Sequence, residues 1–398
     1  MRITIVSDVC YPTVCDGVAS ILTRTVQELL GRGHRIQLVV PRGSEMPGVD
    51  EIVELKSLPI TEVDGQVMPL PQRGMFKRIK SFDPEIILFL DPRLLALQTF
   101  WLFRLVFGKH KLVATFHTDN FQYMKIHFGI PHWVSTVLHR VLMNSFSQVI
   151  SVSQYAKDIL MRAGVKTTTG LWAGGVDTIL FHPNQRSDAF RRQLLQGEEE
   201  TLALYVGRVS VEKGIDRLLP LFRKAAANKV RWVIVGDGDD KAILEQKAGD
   251  YPVTFLGKRH GKELAQAYAS ADLLVFPSQT DTFGLVLIEA MAAGIPVVAY
   301  QHGGVPDIIT HGQDGLIVDP ESGEQGLLEA CYSLAGDKAQ RIRMGKNARQ
   351  SAEENWSWGK SINHLLMLIN NQTYSETPVG NTHREAGDST IEQPYQWH

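Results

Sequence analysis

Short, uninterrupted apolar runs alternate with helical stretches along most of the chain, and this alternation restricts the possible folds more than any other feature. Such runs are typical of strands that are buried on both faces of a parallel sheet. In the first half of the chain, the predicted strands are residues 2–6, 36–40, 86–90, 112–116 and 149–152. Residues 18–32 have apolar side chains at helical spacing and precede Gly33, a helix stop signal. The sequence therefore predicts a repeated β-α-β unit.

A second series of the same kind begins near residue 201. Its predicted strands are residues 202–206, 232–235, 253–256, 273–276, 297–299 and 316–318. Its predicted helices are residues 214–228, 239–249, 261–270, 284–294 and 324–335. We therefore expect an α/β protein with two doubly wound, Rossmann-like domains that face each other across a cleft. A length of 398 residues agrees with two domains, because single cores rarely grow past about 250–300 residues.

The boundaries follow from composition. The polar stretch 184–200 separates the two series, so we predict a first domain over residues 1–184 and a second over residues 185–355. After about residue 372 the chain is rich in Thr, Ser, Glu, Pro and Gly and has few apolar residues, which predicts a flexible tail over 372–398.

Charge and cysteine content exclude some classes of protein. The formal net charge of −2 provides no general attraction for nucleic acid, so no nucleic-acid partner is expected. The chain has three cysteines, Cys10, Cys15 and Cys331. A small, odd number of cysteines does not form a disulfide framework, which indicates a reducing, cytoplasmic location. The first apolar run is too short for a signal peptide.

The densest apolar segment, residues 94–107, is predicted to be a buried helix, with contact to a membrane surface as the alternative.

Ligands of open α/β sheets bind outside the carboxyl ends of the strands, so we searched the loops there for functional side chains. The loop after strand 2–6 enters a helix at Gly17, where helix N–H groups could bind a phosphate and a glycine would let it approach. A simple tight turn explains Gly17 equally well. His117 follows strand 112–116, a position that suits a site residue and a structural residue equally.

The loop of residues 207–214 carries a sharper signal, because Arg208 and Lys213 bracket a turn from strand to helix. Two cations at a helix start oppose the helix dipole, and an anionic ligand would resolve that conflict. The alternative is a pair of solvated surface charges.

The loop and helix of residues 276–290 supply acidic groups next to free helix N–H groups. N–H groups around Gly284, Leu285 and Val286 could hold a phosphate, and Asp281 could reach sugar hydroxyls. Glu289 lies among apolar residues, where a carboxylate is costly without a hydrogen-bond partner, and a ribose diol would suit it. The alternative is a capping Asp and an internal salt bridge.

Two glycine-containing segments are similar to the D-x-D metal motif and to the Walker phosphate-binding motif. Asp237, Gly238 and Asp239 form a D-x-D triplet, but the flanking sequence indicates a turn at a helix start, so no metal is expected. Residues 303–306 are Gly-rich but lack Walker spacing, and are predicted to line the cleft.

Taken together, these loops resemble retaining glycosyltransferases of sequence family 4, which have the GT-B fold. The similar segments are residues 172–177, 181–183, 207–208, 212–214, 281–289, 294–299 and 314–318. Residues 281–289 match the family's E-x7-E motif with Asp281 in place of the first Glu, as in the branch of mannosyltransferases and glycolipid-forming enzymes. The resemblance also implies that residues 356–371 form a helix that returns to the first domain.

The resemblance implies roles for individual residues. Catalytic roles fall to His117, Arg208, Lys213 and Asp281. Donor binding falls to Gly17, Arg208, Lys213, Lys258, Asp281, Phe283, Gly284, Leu285, Val286 and Glu289. In this scheme Arg208 and Lys213 bind the diphosphate, Asp281 the transferred sugar and Glu289 the ribose, while Lys258 lies near the base.

The expected activity is retaining transfer of a hexosyl group from a nucleotide-diphosphate sugar, GDP-mannose or a UDP-hexose, without a metal or other cofactor. The expected acceptor is a glycan or a lipid, because residues 76–80 mix cations with apolar residues and residues 100–103 are strongly apolar. A lipid acceptor would place the protein peripherally at the inner face of the membrane. The alternatives are an epimerase or phosphorylase of the same fold, or a binding protein without activity.

Overall fold

A computed structural model describes residues 1–12, 17–59, 67–72, 74–118, 129–195 and 200–370. The tail predicted for residues 372–398 lies outside this range.

The first sheet has seven parallel strands, in the order β3-β2-β1-β6-β7-β8-β9. They are β1 (Arg2–Val6), β2 (Arg35–Pro41), β3 (Glu51–Leu55), β6 (Ile86–Leu90), β7 (Leu112–Phe116), β8 (Gln148–Ser151) and β9 (Thr168–Leu171). Two further short strands, β4 (Ser57–Pro59) and β5 (Val67–Pro69), form a separate antiparallel pair.

The second sheet has six parallel strands, in the order β12-β11-β10-β13-β14-β15. They are β10 (Thr201–Val206), β11 (Val230–Val235), β12 (Val253–Gly257), β13 (Leu273–Phe276), β14 (Val297–Tyr300) and β15 (Gly315–Val318). Two parallel sheets flanked by helices confirm the predicted α/β fold with two Rossmann-like units.

Helices connect the strands in both units. In the first half they are α1 (Gly17–Gly31), α2 (Met75–Phe82), α3 (Leu94–Phe107), α4 (His132–Met143) and α5 (Gln154–Arg162). Those that follow are α6 (Asp188–Leu194), α7 (Leu219–Ala225), α8 (Lys241–Ala248), α9 (Gly261–Ser270), α10 (Leu285–Ala292), α11 (Val305–Ile308), α12 (Gly323–Gly336), α13 (Lys338–Asn355) and α14 (Trp358–Ile369).

One helix prediction is wrong at its start. A first 3-10 turn (Val211–Lys213) precedes the predicted helix over 214–228, which is itself a second 3-10 turn (Ile215–Leu218), then α7 and then a third 3-10 turn (Ala226–Asn228). Gly214 interrupts the path, because its φ of 71° is a left-handed conformation that ends the first turn. Lys213 therefore lies in a 3-10 turn and not at the start of an α-helix, which removes the dipole conflict from which its role was argued.

The helix predicted over residues 94–107 is buried on one face only. Leu95, Phe100 and Phe103 belong to the core of the first sheet, whereas Trp101 and Leu105 are exposed. The prediction of a buried helix is therefore right for the inward face of α3 and wrong for its outward face.

The last helix, α14, packs against the first unit, although it follows the second sheet in the chain. Ile362 and Leu365 of α14 are fully buried in one core with Leu22 of α1. Trp172 Nε1 donates a hydrogen bond of 2.8 Å to Ser361 Oγ. The chain thus crosses back after the second sheet and joins both units.

Candidate active site

The loops at the carboxyl ends of the second sheet touch each other backbone to backbone, and glycines make this contact possible. A Cβ atom at Gly303 would lie 1.9 Å from the Asp281 carbonyl oxygen, and one at Gly214 would lie 2.5 Å from the Pro277 carbonyl oxygen. Real Cβ atoms essentially never come this close to backbone atoms. The loops that carry Lys213 and Asp281 are therefore held against their neighbours by the main chain.

Lys213 and Asp281 form an ion pair within this loop cluster, with 2.9 Å between Lys213 Nζ and Asp281 Oδ1. Both side chains are partly exposed. Arg208 follows β10, is more exposed, and lies 3.6 Å from Glu212. The structure thus brings Lys213 and Asp281 into contact. With both cations within reach of solvent, the loop offers groups that suit the oxygens of a diphosphate.

Helix α10 begins next to this pair, with Gly284 as its N-cap at a φ of 96°. The main-chain N–H groups of Leu285 and Val286 belong to its first turn, where α-helices leave such groups without intrahelical partners. The ring of Phe283 is buried and packs against the Trp356 ring with centroids 5.4 Å apart. Only the main chain of Phe283 is left to face a donor.

Glu289 is hydrogen-bonded to a tyrosine and not to a cation. Its Oε2 atom accepts a bond of 2.8 Å from Tyr268 Oη, and the side chain lies in a largely apolar environment. Burial raises the pKa of Glu289 to about 7, and the Tyr268 hydroxyl opposes this shift only in part. The internal salt bridge considered above is therefore replaced by a single phenol, which leaves the other carboxylate oxygen for a further donor.

His117 is buried at the end of β7. Its Nε2 atom is 3.0 Å from Thr115 Oγ1, and its ring meets the Trp172 ring edge-on. Burial lowers the pKa of His117 to about 4, although Asp91 acts in the opposite direction. The imidazole is therefore neutral at pH 7 and can act there as a hydrogen-bond partner rather than as a cation.

Asp91 is the polar residue that the sequence analysis missed. It follows β6 with a φ of 55°, and its buried carboxylate accepts bonds from the main-chain N–H groups of His117 and Thr118 and from the Thr118 hydroxyl. Arg93 pairs with it at 2.8 Å. Burial alone would raise the pKa of Asp91, but Arg93 and these donors hold it below its usual value. Asp91 thus fixes the main chain that carries His117, and its position at a strand's carboxyl end was the available signal.

Contacts between the two units close around these residues. Thr282 Oγ1 donates to the His117 carbonyl oxygen, and Ser153 Oγ donates to the Thr282 carbonyl oxygen at 2.6 Å. A Cβ atom at Gly17 would lie 3.5 Å from Leu285 Cδ1. His117, Gly17 and the start of α10 are therefore neighbours across one cleft.

The remaining predicted groups are less closely tied to this cluster. Lys258 is exposed just beyond β12. Asp237 Oδ1 accepts a bond of 3.0 Å from Gly238 N, and Lys241 N donates to the Gly238 carbonyl oxygen at 3.1 Å, so the D-x-D triplet leads into a turn at the start of α8. Among the residues that the structure describes, no group of three or more His, Cys, Asp or Glu side chains could hold a metal ion. The role of Lys258 and the independence from metal stay predictions.

A cleft between two Rossmann-like units, with cationic loops on one wall, is the site of a GT-B glycosyltransferase. The family model described as Glycosyltransferase Family 4 matches residues 15–180, and the one described as Glycosyl transferases group 1 matches residues 186–351. A GDP-mannose-dependent alpha-mannosyltransferase of Mycobacterium tuberculosis is 30% identical over 381 residues, which cover 92% of this chain and 95% of that protein. The chain belongs to the family 4 glycosyltransferases.

Other relatives are more distant or cover less. Sulfoquinovosyl transferase SQD2 of Arabidopsis thaliana is 33% identical over 286 residues, 62% of this chain and 55% of that protein. Among solved structures, sucrose-phosphate synthase from Thermosynechococcus elongatus has a TM-score of 0.75 at 21% identity and covers 93% of this chain and 99% of its own. Anabaena HepE in complex with UDP and glucose has a TM-score of 0.72 at 20% identity, covering 93% and 100%. Both structures share the fold.

Replacing Asp91 by Asn should cost about 3 kcal/mol of unfolding free energy, because Arg93 would lose its buried counter-charge. Asn tolerates the left-handed conformation, so backbone strain does not contribute. Asp83→Asn is the matched control: Asp83 is also left-handed, with a φ of 50°, and pairs with an arginine at 2.8 Å, but it is exposed. Urea titration should show a large loss for Asp91→Asn and almost none for Asp83→Asn. Equal losses would contradict a special role for the buried carboxylate.

Glu289 should make the protein less stable as pH rises. Its pKa is about 7 in the folded state and about 4.5 when unfolded, so the folded state binds the extra proton between these values. The free energy of unfolding should therefore fall by about 2–3 kcal/mol relative to Glu289→Gln from pH 4.5 to 7, and stay level above pH 7. Urea titrations of both proteins across this range measure the difference. The exposed Glu263→Gln is the control, and a pH-independent difference for Glu289→Gln would refute the assignment.

Proposed function

We propose that this glycosyltransferase moves a mannosyl or related hexosyl group from GDP-mannose, or from a UDP-hexose, to a lipid-linked or glycan acceptor, with retention of configuration and without a metal. The proposal of GDP-mannose rests on relatives named as GDP-mannose-dependent alpha-mannosyltransferases in Mycobacterium tuberculosis and Corynebacterium glutamicum. The UDP-hexose donor rests on the fold neighbour solved with UDP and glucose. We place the enzyme in the cytoplasm, at the inner face of the membrane when its acceptor is a lipid.

The contact between Lys213 and Asp281 carries this proposal. When the donor leaves as a nucleoside diphosphate, negative charge develops on its phosphate, and Lys213 and Arg208 are positioned in advance to stabilise it. Asp281 is adjacent to the phosphate-binding cation and can accept hydrogen bonds from hydroxyls of the transferred sugar. The same loop cluster would thus bind the leaving phosphate and the transferred sugar, the two groups joined by the bond that breaks.

The reaction that we propose is a same-face displacement at the anomeric carbon. The bond between the anomeric carbon and the phosphate oxygen breaks, the acceptor oxygen bonds to the same face of that carbon, and its proton passes to the leaving phosphate. A double displacement would need a carboxylate nucleophile beside the anomeric carbon. Asp281, which is paired with Lys213, and Glu289, which is bonded to Tyr268, are proposed to bind hydroxyl groups of the sugar and the ribose, so neither is proposed as the nucleophile.

The two remaining polar groups would orient the donor. His117, neutral at pH 7, would bond to a sugar hydroxyl, and its main chain is fixed by Asp91. Glu289 would accept hydrogen bonds from the ribose diol through the oxygen that Tyr268 leaves open. Since the ionised carboxylate accepts these bonds best, ribose binding would lower the raised pKa of Glu289.

Lys213→Ala should lower kcat by about 100- to 1,000-fold, the usual effect of removing one preorganised group that stabilises transition-state charge. The fold should remain intact, because the side chain is partly exposed and its one described ion pair is with Asp281. Lys224→Ala, which removes an exposed lysine of α7 in the same domain, is the control and should keep full activity. The measurement is transfer from GDP-mannose and from UDP-glucose to a membrane extract, with the product anomer assigned by NMR.

Full activity of Lys213→Ala would remove this lysine from the mechanism. An inverted product would exclude same-face attack. An isomerised sugar or a sugar phosphate in place of a glycoside would mean that the reaction is not glycosyl transfer to an acceptor.

A further inference from the structure

Two helices of the first unit expose apolar faces side by side. On α3 the exposed apolar residues are Trp101, Leu102, Leu105 and Val106, and on α4 they are Trp133, Val137, Leu138 and Val141. Both sets recur at helical spacing, so each forms one face, and the two helices contact each other. We call these eight residues the α3–α4 face. The opposite faces of both helices are buried in the protein, so the eight exposed side chains are not needed to form the hydrophobic core.

Single exposed apolar residues are ordinary, but a contiguous set on two packed helices marks an interaction surface. The sequence analysis identified only the α3 part, because α4 has buried and exposed apolar residues in mixed order. The structure adds Trp133 and the aliphatic residues of α4, a helix that contacts α3.

The positive charge of α2, α3 and α4 indicates what kind of partner would bind the α3–α4 face. Helices α2, α3 and α4 contain no acidic residue, and α2 adjoins α3 through the Phe76 and Phe103 rings, whose centroids are 5.0 Å apart. The same three helices carry the cations Lys77, Lys80, Arg104 and Arg140, and also Arg78, which pairs with Glu51 at 2.6 Å. The whole chain has a net charge of −2, so this concentration of positive charge is local. Apolar residues with a cationic border complement a bilayer with anionic headgroups.

The geometry favours lying in the membrane interface over crossing it. Helix α3 has 14 residues and is therefore about 21 Å long, which is shorter than a hydrocarbon core of about 30 Å. Within the described ranges, no helix is long and apolar enough to span a membrane. Tryptophan is enriched at membrane–water interfaces, where its ring and N–H group meet apolar and polar surroundings.

We propose that the α3–α4 face docks the enzyme on an anionic lipid bilayer, with the two helices lying in the headgroup region. Leu95 N of α3 bonds to Asp8 at the end of β1, so the N-terminal end of α3 lies at the cleft edge of the first sheet. Docking would bring that edge of the cleft towards the bilayer, where a lipid acceptor is embedded. In this last respect the inference rests on the proposed function, whereas the docking itself does not.

The test is co-sedimentation with vesicles of phosphatidylcholine and phosphatidylglycerol, and with vesicles of phosphatidylcholine alone. The wild type should bind the anionic vesicles more strongly, and high salt should weaken binding. The double variant Leu105→Ser/Trp133→Ser changes side chains of residues that are 82% and 71% exposed and should bind at least about tenfold more weakly. The control Ile179→Ser/Ile342→Ser changes residues that are 85% and 52% exposed elsewhere and should bind like the wild type.

Tryptophan fluorescence locates the contact. Trp101 and Trp133 are the exposed tryptophans of the described residues, and Trp172, Trp232, Trp356 and Trp358 are buried. The experiment uses the variant Trp397→Phe as its parent protein, because Trp397 lies outside those residues, and brominated lipid should quench the tryptophan fluorescence of this parent. The quenching should disappear in Trp101→Phe/Trp133→Phe, which keeps apolar side chains and should still bind.

Failure of the wild type to bind anionic vesicles, or equal binding by both double variants, would overturn the proposal. So would a dimer that only Leu105→Ser/Trp133→Ser dissociates, because the α3–α4 face would then join two copies of the chain. Thermal stabilisation by GDP or UDP is measured on the same proteins. If no nucleotide stabilises any of them while vesicle binding behaves as expected, the proposed function fails and the docking surface stands.

Discussion

Close contact between backbones fixes the cationic loop of the second unit, and the rest of the site depends on it. The residue 207–214 loop lies against the residue 236–238 loop on one side and against Pro277 on the other, at distances that leave no space for a Cβ atom at Gly214 or Gly236. Main-chain packing of this kind moves less than long side chains do. It therefore gives Lys213 and Asp281 defined positions before any ligand binds, which is the preorganisation that stabilisation of developing charge requires.

The first unit joins this frame through few but direct bonds. Thr282, beside Asp281, donates to the His117 carbonyl, and Asp91 holds the N–H of the same His117. Ser153 Oγ donates to the Thr282 carbonyl oxygen, and Gln154 N donates to Asp307 at 2.6 Å as a third connection across the cleft. Because helix α14 also returns to the first core, the two units are tied at the cleft and behind it, and a motion that opens the cleft must break the bonds in front.

Much of the fold could be predicted because interior parallel strands are continuous apolar runs. Within the first sheet, the strands that sequence reasoning missed are β3 and β9, which form its two edges and contain polar residues such as Glu51 and Thr168. Candidate site residues could be predicted from the sequence because ligands of open α/β sheets bind at the carboxyl ends of the strands. The partners of Glu289 and His117 could not, since the Tyr268 and Asp91 contacts join distant parts of the chain and depend on the folded packing.

The most direct test of the central claim is the thermal stability of the wild-type protein with GDP, UDP or ADP, each with and without EDTA. A ligand at 100 times its Kd stabilises a protein by about 2.7 kcal/mol, so the preferred nucleotide should stand out clearly. GDP or UDP should raise the melting temperature, and EDTA should leave the increase unchanged. No stabilisation by any of the nucleotides, or stabilisation that EDTA abolishes, would contradict a metal-independent diphosphate site built on Arg208 and Lys213.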